Sequence, residues 1–388
     1  MPAQSESYAV PSGSSLSAGR RLIPAWVPPV GTIVDVGLNT VTSVMGSDTT
    51  APGMFTAWCG DAYSAEYGKY GSILYNGGGH GDRASPVTYR YDIETRLCSK
   101  ITPDVSVYYH ADTYCADTAT GWLWAASDGT DVQVGHPFVM HNYANLIALP
   151  SNAISGDAPN GWLFTMGRGA MPLAGQKQTL ATHKLALGVS GVWEFGGSPV
   201  TQRAAHAYTL HDTARGRLIG INGDNAFANS LITYDLATGT PGTMPFTGGS
   251  YNGYYHIGKY SESLDLYISA RWTGAMAFDV IDPVTAIHTK PTVIGTLPAS
   301  NYEGAWDWDE THSRMVLLVD ADNSAYTLTP TDDPRTDPWL CEKHLLTGTV
   351  RTHAGSTPAY TRLHHIPALD AFVWSPAANV PAQMFRIL

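Results

Sequence analysis

The feature that most constrains the fold of this 388-residue chain is a repeat of about 50 residues. Each unit starts with a histidine or an aromatic residue, passes through a polar turn rich in Asp, Gly or Ser, and ends in an apolar burst. The clearest units are HAYTLHDTARGRLIGINGD (206–224), YYHIGKYSESLDLYISARW (254–272) and GAWDWDETHSRMVLLVDAD (304–322). A fixed period of this length indicates a repeat architecture, such as a β-propeller with one unit per blade.

The spacing of the bursts gives the number of units. Their central residues lie 49, 96, 48, 49 and 57 residues apart: Ile73, Trp122, Leu218, Leu266, Met315 and Phe372. The interval of 96 is twice the period, and NGWLFTMGRG (160–169), with NLIALP before it, supplies the missing unit. Seven units are therefore expected, with six as the alternative.

Further strands are predicted within each unit. Alternating apolar and polar residues follow several bursts and end in Asp, Thr or Gly, as in VTYRYDIET (87–95) and LITYDLATG (231–239). GVWEFGG (191–197) reads as an outer fourth strand. No stretch carries a helical period over 11 or more residues. The sequence thus predicts an all-β fold, a seven-bladed (alternatively six-bladed) β-propeller of four-stranded antiparallel blades.

Closure of the ring requires the two ends of the chain to meet. The segment TIVDVGLNTVTSV (32–44) is expected to add the outer strand of the last blade, beside AQMFRIL (382–388), because this pairing protects an exposed sheet edge. Residues 1–25, rich in Ser, Ala, Gly and Pro, then form an N-terminal arm, and residues 26–388 form the propeller.

Charge and hydropathy exclude several partners. The net charge of −11 argues against nucleic-acid binding, which needs a Lys/Arg surface to neutralise phosphates. No run approaches 18 apolar residues, so no membrane span is expected.

The N-terminus lacks the basic start and apolar core of a signal peptide, so synthesis in the cytoplasm without secretion by that route is expected. The four cysteines fit neither a CxxC pair nor a zinc site.

The repeat, the glycine-rich strand end YNGGGHGD (75–82) and the lead-in LIPAWVPPVGTIVDVGLNTVTSV (22–44) resemble kelch-like β-propeller proteins of bacterial and phage genomes. The resemblance covers roughly residues 22–388 and implies the fold more strongly than a function, since propellers serve many activities. There is also distant similarity to ulvan-lyase-type propellers, which cleave uronate polysaccharides by β-elimination with His and Tyr as acid and base and an Arg that neutralises the uronate.

That similarity, applied to this sequence, suggests catalytic roles for Tyr255, His206 and Arg271, if the chain is a lyase. Tyr255 is expected near the start of the first strand of one blade, and Arg271 near the end of the second strand. These two positions lie side by side in a blade. A guanidinium binds a carboxylate through two parallel hydrogen bonds. The lyases place a second histidine beside the first. This sequence has no counterpart to it, and Asn222 stands near that position. The alternative is that these side chains pack between blades.

The same loops offer ligand-binding candidates at the channel mouth: His80, His110, Asn222 and Tyr302. For His80 and His110, hydrogen bonding to a neighbouring blade is the competing interpretation. No metal or other cofactor is expected from the histidines, and the adjacent His364 and His365 should point to opposite faces of a strand. DADN (320–323) and NGDN (222–225) could hold a structural calcium ion, although turn formation is the simpler explanation.

Two classes of function fit these observations. The first is a virion- or particle-associated propeller of the phage tail or receptor-binding type, docked to other particle proteins by its arm and presenting a face that binds a polysaccharide or cell-surface glycan. The second is a polysaccharide lyase acting on a uronate-containing glycan. Whether the chain is an enzyme, and whether it forms a homo-oligomer, stays open at this stage.

Overall fold

The computed structural model describes residues 23–388 apart from 47, 49–50, 57–58, 79–83, 104–113, 118–121, 126–143, 167–181, 190, 197–207, 222–229, 248–255, 274, 299–304 and 355–358. Within these limits the chain is almost entirely β structure. Two four-residue helices precede the first complete sheet, α1 (Val41–Val44) and α2 (Gly53–Thr56). A single turn of 3-10 helix covers Thr213–Arg215. The predicted all-β class is therefore confirmed.

The described strands form six four-stranded antiparallel blades, numbered here in chain order. Blade 1 contains β2 (Ala62–Ser64), β3 (Ser72–Gly78), β4 (Ala84–Asp92) and β5 (Leu97–Lys100). Blade 2 contains β8 (Leu146–Leu149), β9 (Trp162–Met166), β10 (Thr182–Ala186) and β11 (Trp193–Phe195). Blade 3 contains β12 (Tyr208–Asp212), β13 (Arg217–Ile221), β14 (Ser230–Asp235) and β15 (Thr240–Pro245).

The remaining blades follow the same order from the innermost to the outermost strand. Blade 4 contains β16 (Ile257–Ser261), β17 (Leu266–Thr273), β18 (Ala275–Ile281) and β19 (His288–Thr289). Blade 5 contains β21 (Ala305–Asp309), β22 (Arg314–Val319), β23 (Ser324–Pro330) and β24 (Trp339–Leu345), and β20 (Val293–Ile294) pairs in parallel with β24. Blade 6 contains β25 (Leu363–Ile366), β26 (Ala371–Trp374), β27 (Gln383–Phe385) and β1 (Ile33–Asp35).

The expected count of seven blades is wrong, and its alternative of six is what the described residues form. The apolar burst at Trp122 belongs to a two-stranded hairpin, β6 (Tyr114–Asp117) and β7 (Trp122–Ala125), and no other described strand joins that sheet. The innermost strand of blade 1 packs directly beside the innermost strand of blade 2. The hairpin thus matches the repeat in sequence without taking a place in the ring.

The predicted closure of the ring is confirmed. Strand β1 pairs antiparallel with β27, with Ile33 opposite Phe385 and Asp35 opposite Gln383. Ile33 is 2% exposed and joins the apolar core shared by blades 5 and 6. The N-terminal strand therefore covers the outer edge of the last blade, as an exposed edge requires.

Blades are held together by apolar side chains between neighbouring sheets. The junction of blades 4 and 5 is rich in tryptophan: Trp306, Trp308 and Trp339 are all buried there. At the junction of blades 3 and 4, the Tyr208 ring lies against Gly258, where a Cβ would come within 1.7 Å of the ring. Only glycine permits this approach of two inner strands close to the axis.

Asp–Arg pairs reinforce the ends of the inner strands. Asp212 closes β12 and accepts a hydrogen bond from Arg217 Nε at 3.0 Å, and Asp309 closes β21 and accepts one from Arg314 Nε at 3.0 Å. Arg217 also reaches the next blade, donating to Tyr267 Oη at 2.9 Å and to the carbonyl of Pro283 at 2.6 Å. These pairs fix the turn end of each strand to the neighbouring sheet.

A search of the described residues finds no helix long and apolar enough to cross a membrane.

Candidate functional site

A cavity lies on the propeller axis, where the innermost strands converge. Its volume is about 210 Å³, and every one of the six blades contributes to its wall. The polar and aromatic side chains of that wall are Asp61, Tyr63, Thr209, His211, Lys259, Tyr260, Asp307, Thr361 and His364. We call this site the axial cavity. Concave sites with a few convergent polar groups are the usual location of ligand binding.

Asp61 and His364 join blades 1 and 6 at one side of the axial cavity. His364 Nε2 lies 2.5 Å from Asp61 Oδ1, and the two side chains are 2% and 1% exposed. The main chain of Asp61 is fixed as well, because Thr361 Oγ1 accepts from its N–H at 3.0 Å and donates to its carbonyl at 2.7 Å. The second carboxylate oxygen of Asp61 is buried and has no hydrogen-bond donor among the described residues.

Lys259 and Asp307 join blades 4 and 5 across the cavity wall. Lys259 Nζ lies 2.6 Å from Asp307 Oδ1, and the backbone N–H of His365 donates to Asp307 Oδ2 at 2.7 Å. Burial disfavours the charged form of Asp307, but the charges of Lys259 and His364 and these hydrogen bonds hold its pKa below the ordinary value. Asp307 is therefore a stable carboxylate that neutralises Lys259.

Three further rings face the axial cavity. Burial lowers the pKa of His211 to about 4, so its imidazole is neutral at pH 7. No hydrogen bond joins that imidazole to any residue the structure describes. Tyr63 donates to the carbonyl of Tyr70 at 3.0 Å, and Tyr260 donates to Asp265 Oδ1 at 2.9 Å, so both present ring carbons to the cavity. Burial and the charge of Asp307 raise the pKa of Tyr63 well above its usual range.

Of the candidate catalytic and ligand-binding residues, Arg271 is the one within the described part of the chain. His80, His110, His206, Asn222, Tyr255 and Tyr302 all lie outside it.

Arg271 lies on the second strand of blade 4, opposite Ala277. Its Nε is buried without a hydrogen-bond partner in the described region. The positive charge of Arg271 affects the pKa of two buried neighbours. Burial lowers the pKa of His256 to about 3, and the charge of Arg271 contributes to that lowering. Burial raises the pKa of Asp279, while the charges of Lys290, His288 and Arg271 oppose that rise. The charge of Arg271 therefore acts on two buried groups within its own blade, without a hydrogen bond from its Nε to either.

The axial residues were missed by reasoning from sequence. Asp61 and His364 are 303 positions apart, and nothing local connects them. A weak signal exists for the second pair, since Lys259 and Asp307 are each the third residue of an otherwise largely apolar inner strand. The expectation that His364 and His365 point in opposite directions is met: His364 contacts blade 1, while His365 Nε2 lies 3.4 Å from Asp309 in blade 5.

In the calcium candidate at 320–323 some groups are engaged in other contacts, but both Asp320 oxygens and Asp322 Oδ1 are buried without a hydrogen-bond partner among the described residues, so a structural calcium ion there stays a prediction. Asp322 Oδ2 accepts from Tyr326 Oη at 2.5 Å and Lys343 Nζ at 2.9 Å. Asn323 binds the main chain at Leu346, Gly348 and Val350. Within the described region, no group of three His, Cys, Asp or Glu side chains is placed to hold a metal ion. The candidate at 222–225 lies outside that region.

No family model and no curated protein sequence matches this chain. Among solved structures, it is similar to a chain of a mitotic checkpoint complex, with 9% identity and a TM-score of 0.47 over 100% of this chain and 99% of the other. It is also similar to a structural genomics protein of unknown function from Bacteroides thetaiotaomicron VPI-5482, with 7% identity and a TM-score of 0.49 over 91% of this chain and 74% of the other. The propeller assignment rests on the strand order and the ring of inner strands.

Proposed function

We propose that this chain is a kelch-like β-propeller of phage-particle type that binds a glycan and is docked to other particle proteins by its N-terminal arm. The observation that carries the binding function is the axial cavity, which combines hydrogen-bonding groups with the rings of Tyr63 and Tyr260. Aromatic rings and a few fixed polar groups suit the two sides of a sugar, its apolar C–H face and its hydroxyl groups.

The position of the first strand supports docking by the arm. Strand β1 is the outermost strand of blade 6, so the residues before it approach the propeller at its rim. Backbone bridges at Val30 and Thr32 hold this approach against Arg386 and Thr347. A partner protein held near this rim would leave the axial cavity accessible to a glycan.

Two measurements test the two parts of this proposal separately. The full chain is screened against a glycan array that includes neutral and uronate-containing polysaccharides, and binding of at least one glycan class is expected. A variant that lacks residues 1–25 should keep the unfolding midpoint and the glycan binding of the full chain but lose incorporation into particles. Absence of binding to every glycan rejects the binding function, and normal incorporation of the shortened chain rejects the docking function.

The alternative of a polysaccharide lyase depends on Arg271 among the described residues. Its Nε is buried within blade 4, so the guanidinium cannot use that N–H in a bidentate bond to a uronate. We therefore expect no unsaturated uronate chromophore when the chain is incubated with a panel of polyuronates. Appearance of that absorbance, and its loss in an Arg271→Met variant that still folds, would establish the lyase instead.

A further inference from the structure

We propose that the axial cavity holds a single uncharged sugar ring, a neutral pyranose rather than a uronate, and that His211 binds one of its hydroxyl groups. This inference rests on the glycan-binding function proposed above and specifies its site and sugar class. Three observations carry it: the size of the cavity, the pairing of its charges, and the open hydrogen-bonding capacity of His211.

The size of the cavity fits one ring. A water molecule occupies about 30 Å³ in the liquid, so a cavity of about 210 Å³ has room for roughly seven waters. That volume is on the scale of one pyranose with its hydroxyl groups and is too small for an oligosaccharide. A longer glycan would therefore place one terminal residue in the cavity and the remainder outside it.

The charges of the cavity wall are already paired. Lys259 is the one lysine or arginine among the lining residues that the structure describes, and Asp307 neutralises it at 2.6 Å. His364 faces the carboxylate of Asp61 at 2.5 Å. An anionic sugar would have to displace one of these carboxylates or lie buried beside them without a counter-charge, and either arrangement is costly. The wall thus selects against uronates.

His211 supplies what a hydroxyl group needs. A neutral imidazole has one N–H donor and one acceptor nitrogen, and a sugar hydroxyl is likewise both donor and acceptor. The imidazole lines the cavity and makes no hydrogen bond with the residues described here. Lys259 keeps N–H donors beyond the one directed at Asp307. The rings of Tyr63 and Tyr260 offer apolar faces for the C–H side of the sugar.

The experiment compares matched sugars that differ only at C6. Titration calorimetry of the full chain is carried out with the methyl glycosides of glucose and galactose and with those of glucuronate and galacturonate. We expect at least one neutral glycoside to bind about tenfold or more tightly than its uronate, because the uronate leaves a buried charge uncompensated. His211→Leu should weaken binding of the neutral glycoside about tenfold by removing its hydrogen bond.

Matched variants separate loss of the site from loss of the fold. His211→Gln keeps a donor and an acceptor and should retain more binding than His211→Leu, while both keep the unfolding midpoint of the parent at pH 7. His344→Leu, on the outer strand β24 of blade 5, is the control and should bind like the parent. A uronate that binds better than its neutral partner, or sugar binding that His211→Leu leaves unchanged, overturns the inference while glycan binding itself stands. Failure of every glycan to bind rejects the proposed function.

Discussion

Two sets of buried polar groups in the described part of this propeller differ in their hydrogen bonding. At the turn end of blades 3 and 4, Asp212 is fully buried and accepts from Arg217 Nε at 3.0 Å and Tyr267 Oη at 2.6 Å. Arg215 adds a bond at 3.1 Å. We call this set the turn-end cluster. In the axial cavity, by contrast, one oxygen of Asp61 and the imidazole of His211 have no partner in the described part of the chain.

The difference separates a structural network from a binding site. A buried polar network whose members are all satisfied fixes the packing of its neighbours, and nothing in it is free to receive a ligand. Buried groups without partners are uncommon in folded proteins, and each calls for a water, an ion or a ligand. The turn-end cluster therefore holds blades together, whereas the axial cavity both joins blades and retains capacity to bind.

The largest effect on stability is expected in the turn-end cluster. Asp212→Ala removes the acceptor shared by Arg217, Arg215 and Tyr267 and leaves the partly buried guanidinium of Arg217 without its counter-charge, while Arg215 keeps Asp265. Loss of one partner of a buried pair costs about 3–5 kcal/mol of unfolding free energy. Urea unfolding monitored by tryptophan fluorescence measures this loss.

The control is an exposed carboxylate in the same network. Asp265 also bonds Arg215, at 2.7 Å, but its side chain is 52% exposed. Asp265→Ala should therefore cost no more than about 1 kcal/mol. Equal losses for Asp212→Ala and Asp265→Ala would contradict the view that burial makes the turn-end cluster structural.

A smaller, pH-dependent effect is expected from His211. Its pKa is about 4 in the folded chain, against 6.5 for an ordinary histidine. Between these values the unfolded chain binds more protons than the folded chain, so the free energy of unfolding falls as the pH is lowered from 6.5 to 4. The depressed pKa corresponds to about 2–3 kcal/mol over that window.

His211→Gln should remove this part of the pH dependence. The comparison is made by urea unfolding of parent and variant at pH 7 and pH 4, because the difference between them excludes other groups such as His256, whose pKa is also lowered. The variant should lose less stability on acidification than the parent. Identical pH dependence in both proteins would show that His211 is not buried in its neutral form.

The sequence predicted the strands and the closure of the ring because both depend on local pattern. The apolar bursts of the six blades are second strands, with buried side chains in β9 and β22. The closing strand could be foreseen because a sheet edge needs cover. The number of blades could not, because the hairpin at Trp122 has the same local pattern as a blade. Whether it enters the ring depends on the packing of β2 against β8, far apart in sequence.

The candidate site was less accessible to such reasoning. The sequence drew attention to histidines and tyrosines that recur at the strand entrances, since repeated polar residues stand out in an alignment of units. Asp61, Lys259 and His364 each come from a single blade, three different blades in all. They reach the same cavity only because the ring closes. A binding site assembled from single contributions leaves no repeat signal, so its residues are visible only in the folded structure.

Apart from the exposed control Asp265→Ala, the smallest effect is expected from the charge pair of the axial cavity. Lys259→Met leaves Asp307 with the backbone N–H of His365, and the adjacent cavity can admit water to the free carboxylate oxygen. We therefore expect a loss of about 1–2 kcal/mol, below that of Asp212→Ala.

The pH dependence of this loss follows from Asp307. Its folded pKa is lowered, so its contribution to stability is present above the unfolded value of 3.8 and disappears as the pH falls through the folded pKa. Parent and Lys259→Met should therefore differ less at pH 3 than at pH 6 in urea unfolding. A double-mutant cycle with Asp307→Asn isolates the pair, and a loss as large as that of Asp212→Ala would mean that the axial cavity is as closed to water as the turn-end cluster.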